Sequence, residues 1–104
     1  MITPNDIKTI EAKKVDIDKI IKEIDISITK THGDYPWEEA IINGEYSDDI
    51  MYTILKKYYN VGWKYIYWSR SSEDNERAGL TGIMFSTTPI ENEIYIQNKH
   101  IFNL

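Results

Sequence analysis

The sequence predicts an α+β fold: a two-layer sandwich with two helices packed on one face of a small mixed sheet of three to four strands, in the order α-β-α-β-β-(β). Three observations carry that prediction. Residues 61–70 concentrate two Trp, two Tyr, one Ile and one Val, the composition of a pleated strand. Ile10, Ile17, Ile21, Ile24 and Ile28 recur at intervals of seven, four, three and four, which places them on one helical face. Met51, Ile54, Leu55 and Tyr58 form a second helical stripe at i, i+3, i+4 and i+7.

The first helix is expected to run as one long element. Thr3 can cap it, Pro4 suits the first helical position, and Asp6 sits at the positive end of the helix dipole. Gly33 is a natural stop. Its turns before about Lys13 are expected to project beyond the core. Val15-Asp-Ile17 and Ile24-Asp-Ile-Ser-Ile28 alternate as a strand would, but a helical seam explains more of the apolar positions. Trp37, Ala40, Ile41 and Ile42 then read as a short strand, with Asn43-Gly44 as its turn. Pro36 confines the start of that strand to an edge. A helical turn over residues 37–42 is the alternative, since Pro36 could open it and Glu38 and Glu39 suit its first turn.

Ser47-Asp48-Asp49 signals the start of the second helix: a Ser cap followed by two acids at the dipole's positive end. Lys56 and Lys57 lie near its other end, and Asn60 or Gly62 closes it. The stretch 61–70 follows as the central strand, with Trp63, Tyr65 and Tyr67 on one side and Lys64, Ile66, Trp68 and Arg70 on the other. Residues 71–79 are polar and turn-rich, an exposed hairpin loop. Residues 80–88 read as the returning strand, closed by Pro89. Residues 90–104 form either an extra strand, over 93–97, or an exposed C-terminal arm. The strand–helix–strand unit implies a right-handed parallel crossover, the hairpin adds an antiparallel strand, and one sheet face stays open.

At 104 residues the chain is one domain by length, 1–104, without internal repeats or linkers. A chain this size buries roughly two-thirds of its unfolded surface, enough for one core. It has no Cys, which fits a reducing compartment. No apolar run approaches the ~20 residues of a membrane helix. The first residues lack a basic region followed by an apolar one. The expected location is therefore cytoplasmic or virion-associated, with no membrane contact.

The net charge of −5 is uneven. Residues 1–33 balance six Lys against six acids, whereas residues 34–62 hold six acids and two Lys. There is no basic stripe for nucleic acid. An acidic middle can face a basic partner, although its plain role is solubility.

Catalytic chemistry finds little to build on. Without Cys there is no thiol nucleophile. His32 beside Gly33 reads as a helix-end residue, and His100 as a surface residue of the tail. No nucleophile elbow, phosphate-cradling loop or glycine fingerprint is present. Zinc ligands are missing. Asp48-Asp49 and Glu73-Asp-Asn-Glu76 do not match a calcium loop. No cofactor and no metal is expected, and the protein is expected not to be an enzyme.

The exposed aromatic set is the remaining candidate. Trp63, Tyr65, Tyr67 and Trp68 belong to the residue types that dominate interface hot spots, and Arg70 and Arg77 flank the same hairpin. Asp48 and Asp49 add the acidic region beside it. The plain alternative is that one face is core and the other a tolerated aromatic surface. Aromatics on a sheet can also stack single-stranded bases. Lys64, Arg70 and Arg77 supply too little positive charge for that.

Several stretches resemble a loose group of small tailed-bacteriophage proteins: an amphipathic helix from Ile17 to Gly33, Gly44-Glu-Tyr-Ser-Asp-Asp49, Leu55-Lys-Lys-Tyr-Tyr-Asn-Val-Gly-Trp63, and the hairpin to Phe85. About two-thirds of the chain is covered. The chain departs from the pattern by continuing from Thr87 to Leu104. Its Ile, Lys, Asn and Tyr content also looks like that of a low-GC phage or its host. The resemblance implies a small accessory protein that binds and modulates a host-encoded protein. The alternative is a virion or assembly component that oligomerises through its C-terminal tail.

Overall fold

A computed structural model describes residues 16–71, 79–91, 93–97 and 99–103. In chain order the elements are α1 (Ile17–Thr31), β1 (Glu38–Asn43), α2 (Asp48–Asn60), β2 (Tyr65–Arg70), β3 (Leu80–Ser86), α3 (Glu93–Ile96) and β4 (His100–Phe102). The α+β sandwich expected from the sequence is present, with α1 and α2 packed on one face of a four-stranded sheet.

Helix α1 starts later than the periodicity predicts. Asp16 is extended, at φ −80° and ψ 93°, and its carboxylate accepts the Lys19 N–H at 3.1 Å. An aspartate one residue before an apolar stripe is a better cap than a helical residue, because it satisfies an otherwise orphaned amide. The helix therefore does not run unbroken from Thr3; the expected cap at Thr3 and the turns around it lie outside the described residues. Ile20 and Ile24 are buried, with Ile17, Ile21 and Ile28 packed beside them.

The strand reading of residues 37–42 holds, and the helical alternative does not. Strand β1 is an edge strand, and α1 closes its outer side. The Ser27 hydroxyl accepts the Ile41 N–H at 2.9 Å, and the Thr31 hydroxyl donates to the Glu39 carbonyl at 2.6 Å. Two helical hydroxyls thus stand where a further strand would otherwise pair.

The sheet order is β1-β3-β2-β4, and every pairing is antiparallel. A mixed sheet was expected. Strands β1 and β2 do run parallel to one another across α2, but β3 lies between them, so no parallel pair forms. Burial explains the insertion. In β3, Thr81, Ile83, Met84, Phe85 and Ser86 are all buried, so it needs a neighbour on each edge and cover on each face. Strand β2 is interior too, flanked by β3 and β4.

Residues 93–96 form a helical turn, not the expected fourth strand. Only Ile96 of this turn packs inward. The free edge of β2 is taken instead by His100–Phe102, because Phe102 enters the core against the Tyr52 and Tyr59 rings. Nor is the second sheet face fully open. Trp37, Met84 and Ile90 form a small buried cluster there, joined by Tyr67 and Ile96.

The main core lies between the helices and the sheet. Its centre is Phe85, fully buried, with the Tyr58 ring 4.8 Å away. The Tyr58 hydroxyl donates to the Asp25 carboxylate at 2.7 Å and lies 3.2 Å from the Ile21 carbonyl. Burial first, then the bond to Asp25 and its charge, push the phenol pKa far up, so Tyr58 stays a donor. Tyr58→Phe should cost about 1–2 kcal/mol, the value of a hydrogen bond to a charged acceptor that can be rehydrated. Urea unfolding will read this as a lower midpoint with an unchanged slope; an unchanged midpoint would show that the bond contributes nothing.

Candidate protein-binding surface

Strand alternation decides where the predicted aromatics point, and it begins only at Tyr65. Gly62, at φ +124°, turns the chain out of α2, and the Trp63 N–H bonds back to the Tyr58 carbonyl at 3.2 Å. Trp63 is thereby folded onto the helix layer, its ring 5.9 Å from Phe85, instead of sharing a face with Tyr65 and Tyr67. Trp68 is also a core residue, 6% exposed. Trp68 is thus covered by the fold, while Trp63 remains partly exposed.

Arg70 and Asp48 serve the frame as well. The Arg70 guanidinium lies over the Trp68 ring at 4.6 Å, and its Nε donates to the Tyr46 carbonyl at 2.8 Å. One of its terminal nitrogens pairs with Asp48 in the first turn of α2. His100 lies against Trp68, with ring centroids 4.6 Å apart. The clamp joins the start of α2, the end of β2 and the strand β4. The Arg70 hydrogen bond, more than any charge effect, holds the Asp48 carboxyl below its ordinary range. Asp49 is exposed in the same turn. Arg77 lies outside the described residues.

Tyr65 and Tyr67 do lie on the face away from the helices, Tyr65 exposed and Tyr67 half-buried. The structure adds partners there that sequence reasoning missed. Tyr35 stacks on Trp37, with centroids 5.2 Å apart and planes 6° from parallel. Tyr95 of α3 meets Trp37 at 5.1 Å and Tyr35 at 6.1 Å. Tyr35 and Tyr95 are 40% and 44% exposed, and Ile94 and Ile101 are more so. Residues 35, 37 and 95 are too far apart in sequence for any local pattern to join them. The one available sign was the aromatic pair on either side of Pro36.

Beside this trio is a cleft of about 330 Å³, lined by Pro36, Trp37, Ser86, Thr88, Pro89 and Glu91 among others. The Trp37 indole nitrogen is buried and has no hydrogen-bond partner among the described residues. The cleft offers no nucleophile–base pair. Elsewhere His32, at the C-terminal end of α1, bonds Glu38 through Nδ1 at 2.6 Å. Its imidazole is exposed, and the pair fastens the α1–β1 connection. No group of three or more His, Cys, Asp or Glu among the described residues is placed to hold a metal ion. No described helix is long and apolar enough to cross a membrane.

No family model matches the chain, and no curated protein or solved structure matches it either.

The Asp48–Arg70 pair has a testable pH signature. A carboxyl whose pKa is lowered by folding stabilises the protein above the unfolded value, about 3.9, and loses that contribution as pH falls through the folded value. Asp48 is largely exposed, so the contribution is small, under about 1 kcal/mol. Asp48→Asn should therefore be less stable than the parent at pH 7, and the difference should shrink as pH falls below the unfolded value of about 3.9. A stability difference that persists at low pH would show that charge is not the cause.

Proposed function

We propose that this chain is a non-enzymatic binding protein that presents its helix-free sheet face to a protein partner. The observation that supports this is the exposed pair Tyr35 and Tyr95 packed on the buried Trp37, with Tyr65, Ile94 and Ile101 also exposed. Tyrosines on a firm support contribute large contact area at little entropic cost and are enriched in interface hot spots. An apolar surface bordered by polar residues is the usual mark of an interaction site. Asp34, exposed at the start of the segment that carries Tyr35, adds an acidic residue, whereas Asp48 is occupied by Arg70 and Asp49 lies with it on the helix side. The partner is accordingly a protein with a basic rim. The phage-like residue pattern makes a bacterial host protein, bound and modulated in the host cytoplasm, the first place to look.

The C-terminal segment favours a second reading, self-association in an assembly. Ile94 is 82% and Ile101 65% exposed, and β4 is the sheet edge that α1 does not cover. Deleting residues 90–104 would not test this cleanly, because Ile90 and Phe102 are core residues. Point substitutions are needed.

Tyr65→Ala should change stability by less than about 1 kcal/mol, since the ring is exposed, while weakening capture of the partner from a host lysate at least tenfold. Trp68→Ala should instead cost about 3–5 kcal/mol as a core deletion. Capture by Tyr65→Ala at the parental level would remove this face from the binding reading. If the chain self-associates through its C-terminal segment, Ile94→Asp with Ile101→Asp will convert an oligomer to a monomer in light scattering. A parent that is already monomeric at high concentration would end the second reading.

A further inference from the structure

Asn43 is the only asparagine of the chain that is followed by glycine. That pair is reactive. A backbone nitrogen can attack the side-chain amide carbon of the asparagine before it, and a side chain on the attacking residue hinders the approach. Glycine has none. Asn43 is also exposed, so water reaches its amide. Gly44 does not tolerate a shielding side chain: its φ is +104°, and a Cβ would sit 2.8 Å from the Tyr46 hydroxyl. The fold therefore keeps a reactive pair at the end of β1.

The same fold holds the pair out of reaction. Asn43 is the last residue of β1 and pairs with Leu80. In extended backbone the next nitrogen is turned away from the side chain, so ring closure needs rotation about the Asn43 Cα–C bond. The peptide group between the two residues is pinned at both atoms. Its N–H donates to the Gly79 carbonyl at 2.6 Å, and its oxygen accepts the Tyr46 hydroxyl at 3.0 Å. The Gly44 carbonyl accepts the Thr81 hydroxyl at 2.7 Å. Reaction requires these contacts to open, and strand ends open before strand interiors.

We propose that Asn43–Gly44 is a site of spontaneous backbone modification, gated by opening of this end of the sheet. In the opened chain the Gly44 nitrogen bonds to Asn43 Cγ. The Cγ–Nδ2 bond breaks, and Nδ2 leaves as ammonia with the proton that the Gly44 nitrogen gives up. Water then opens the cyclic imide at either carbonyl, giving aspartate or isoaspartate. Both products add a negative charge. Isoaspartate also routes the backbone through the side chain and lengthens it by a methylene. Gly44 then no longer meets Gly79 and Thr81 in register, so the strand end cannot pair again as before. The modification is a one-way record of opening.

The test incubates the full chain at mildly alkaline pH beside a synthetic peptide of residues 40–47. Product is measured by mass spectrometry of the fragment that lies between Lys30 and Lys56. Hydrogen exchange of the Gly44 N–H is followed in the same samples. The folded chain should react about a hundredfold more slowly than the peptide, and at Asn43 before any other asparagine. Thr81→Val keeps nearly the same shape and removes the hydroxyl bond. It should speed both the modification and the Gly44 exchange about fivefold. Should that variant fail to fold, dilute urea added to the parent should speed both in proportion. A folded chain that reacts as fast as the peptide would overturn the gating. Faster Gly44 exchange without faster modification would overturn it too. First reaction at another asparagine would remove Asn43 as the site.

Discussion

Tyr58 joins three elements through one side chain, and the two-layer arrangement depends on it. Helices α1 and α2 make little direct contact, and α1 packs mainly on β1. The Tyr58 ring packs on Phe85 of the central strand, while its hydroxyl crosses to Asp25 and to the Ile21 carbonyl of α1. One residue therefore fixes the spacing of the helices and seats both on the sheet. The polar tip can be buried because it is bonded, and its bonding group is an acid that itself reaches solvent.

The far end of the sheet is held differently, by hydrogen bonds instead of apolar packing. The Thr81 hydroxyl donates to the Gly44 carbonyl at 2.7 Å, and the Leu80 N–H reaches the Ser71 hydroxyl at 2.9 Å. Gly44 is required here: its φ is +104°, and a Cβ would sit 2.8 Å from the Tyr46 hydroxyl. Arg70 closes the same region by holding Tyr46 and Asp48. Arg70 and Trp68, residue types that mark binding sites when exposed, are here part of the frame. The large apolar side chains left exposed are mostly tyrosines and isoleucines.

The two edges of the sheet are covered differently. Helix α1 closes the β1 edge through Ser27 and Thr31. The opposite edge is only the three residues of β4, too short to template a long added strand. On the helix-free face Ile90 and Ile96 pack with Trp37, Met84 and Tyr67, and Tyr35 and Tyr95 lie against Trp37.

The sequence by itself determined the local elements. The Ile and Met-Ile-Leu-Tyr stripes marked both helices, Ser47 capped the second, and the aromatic run marked β2, because periodicity and capping act over a few residues. It also determined the α+β class, since the order of elements leaves few ways to bury two helical stripes and two strands. Strand order and the destinations of the aromatics were decided only by the tertiary structure. Phe85 needs cover from both layers, which puts β3 between β1 and β2 and makes the sheet antiparallel. Trp63 turns inward at Gly62, before the strand's alternation starts. Tyr35, Trp37 and Tyr95 meet because the chain returns over the second face after Pro89. Contacts across such distances follow from how the whole core closes, and no spacing within the chain encodes them.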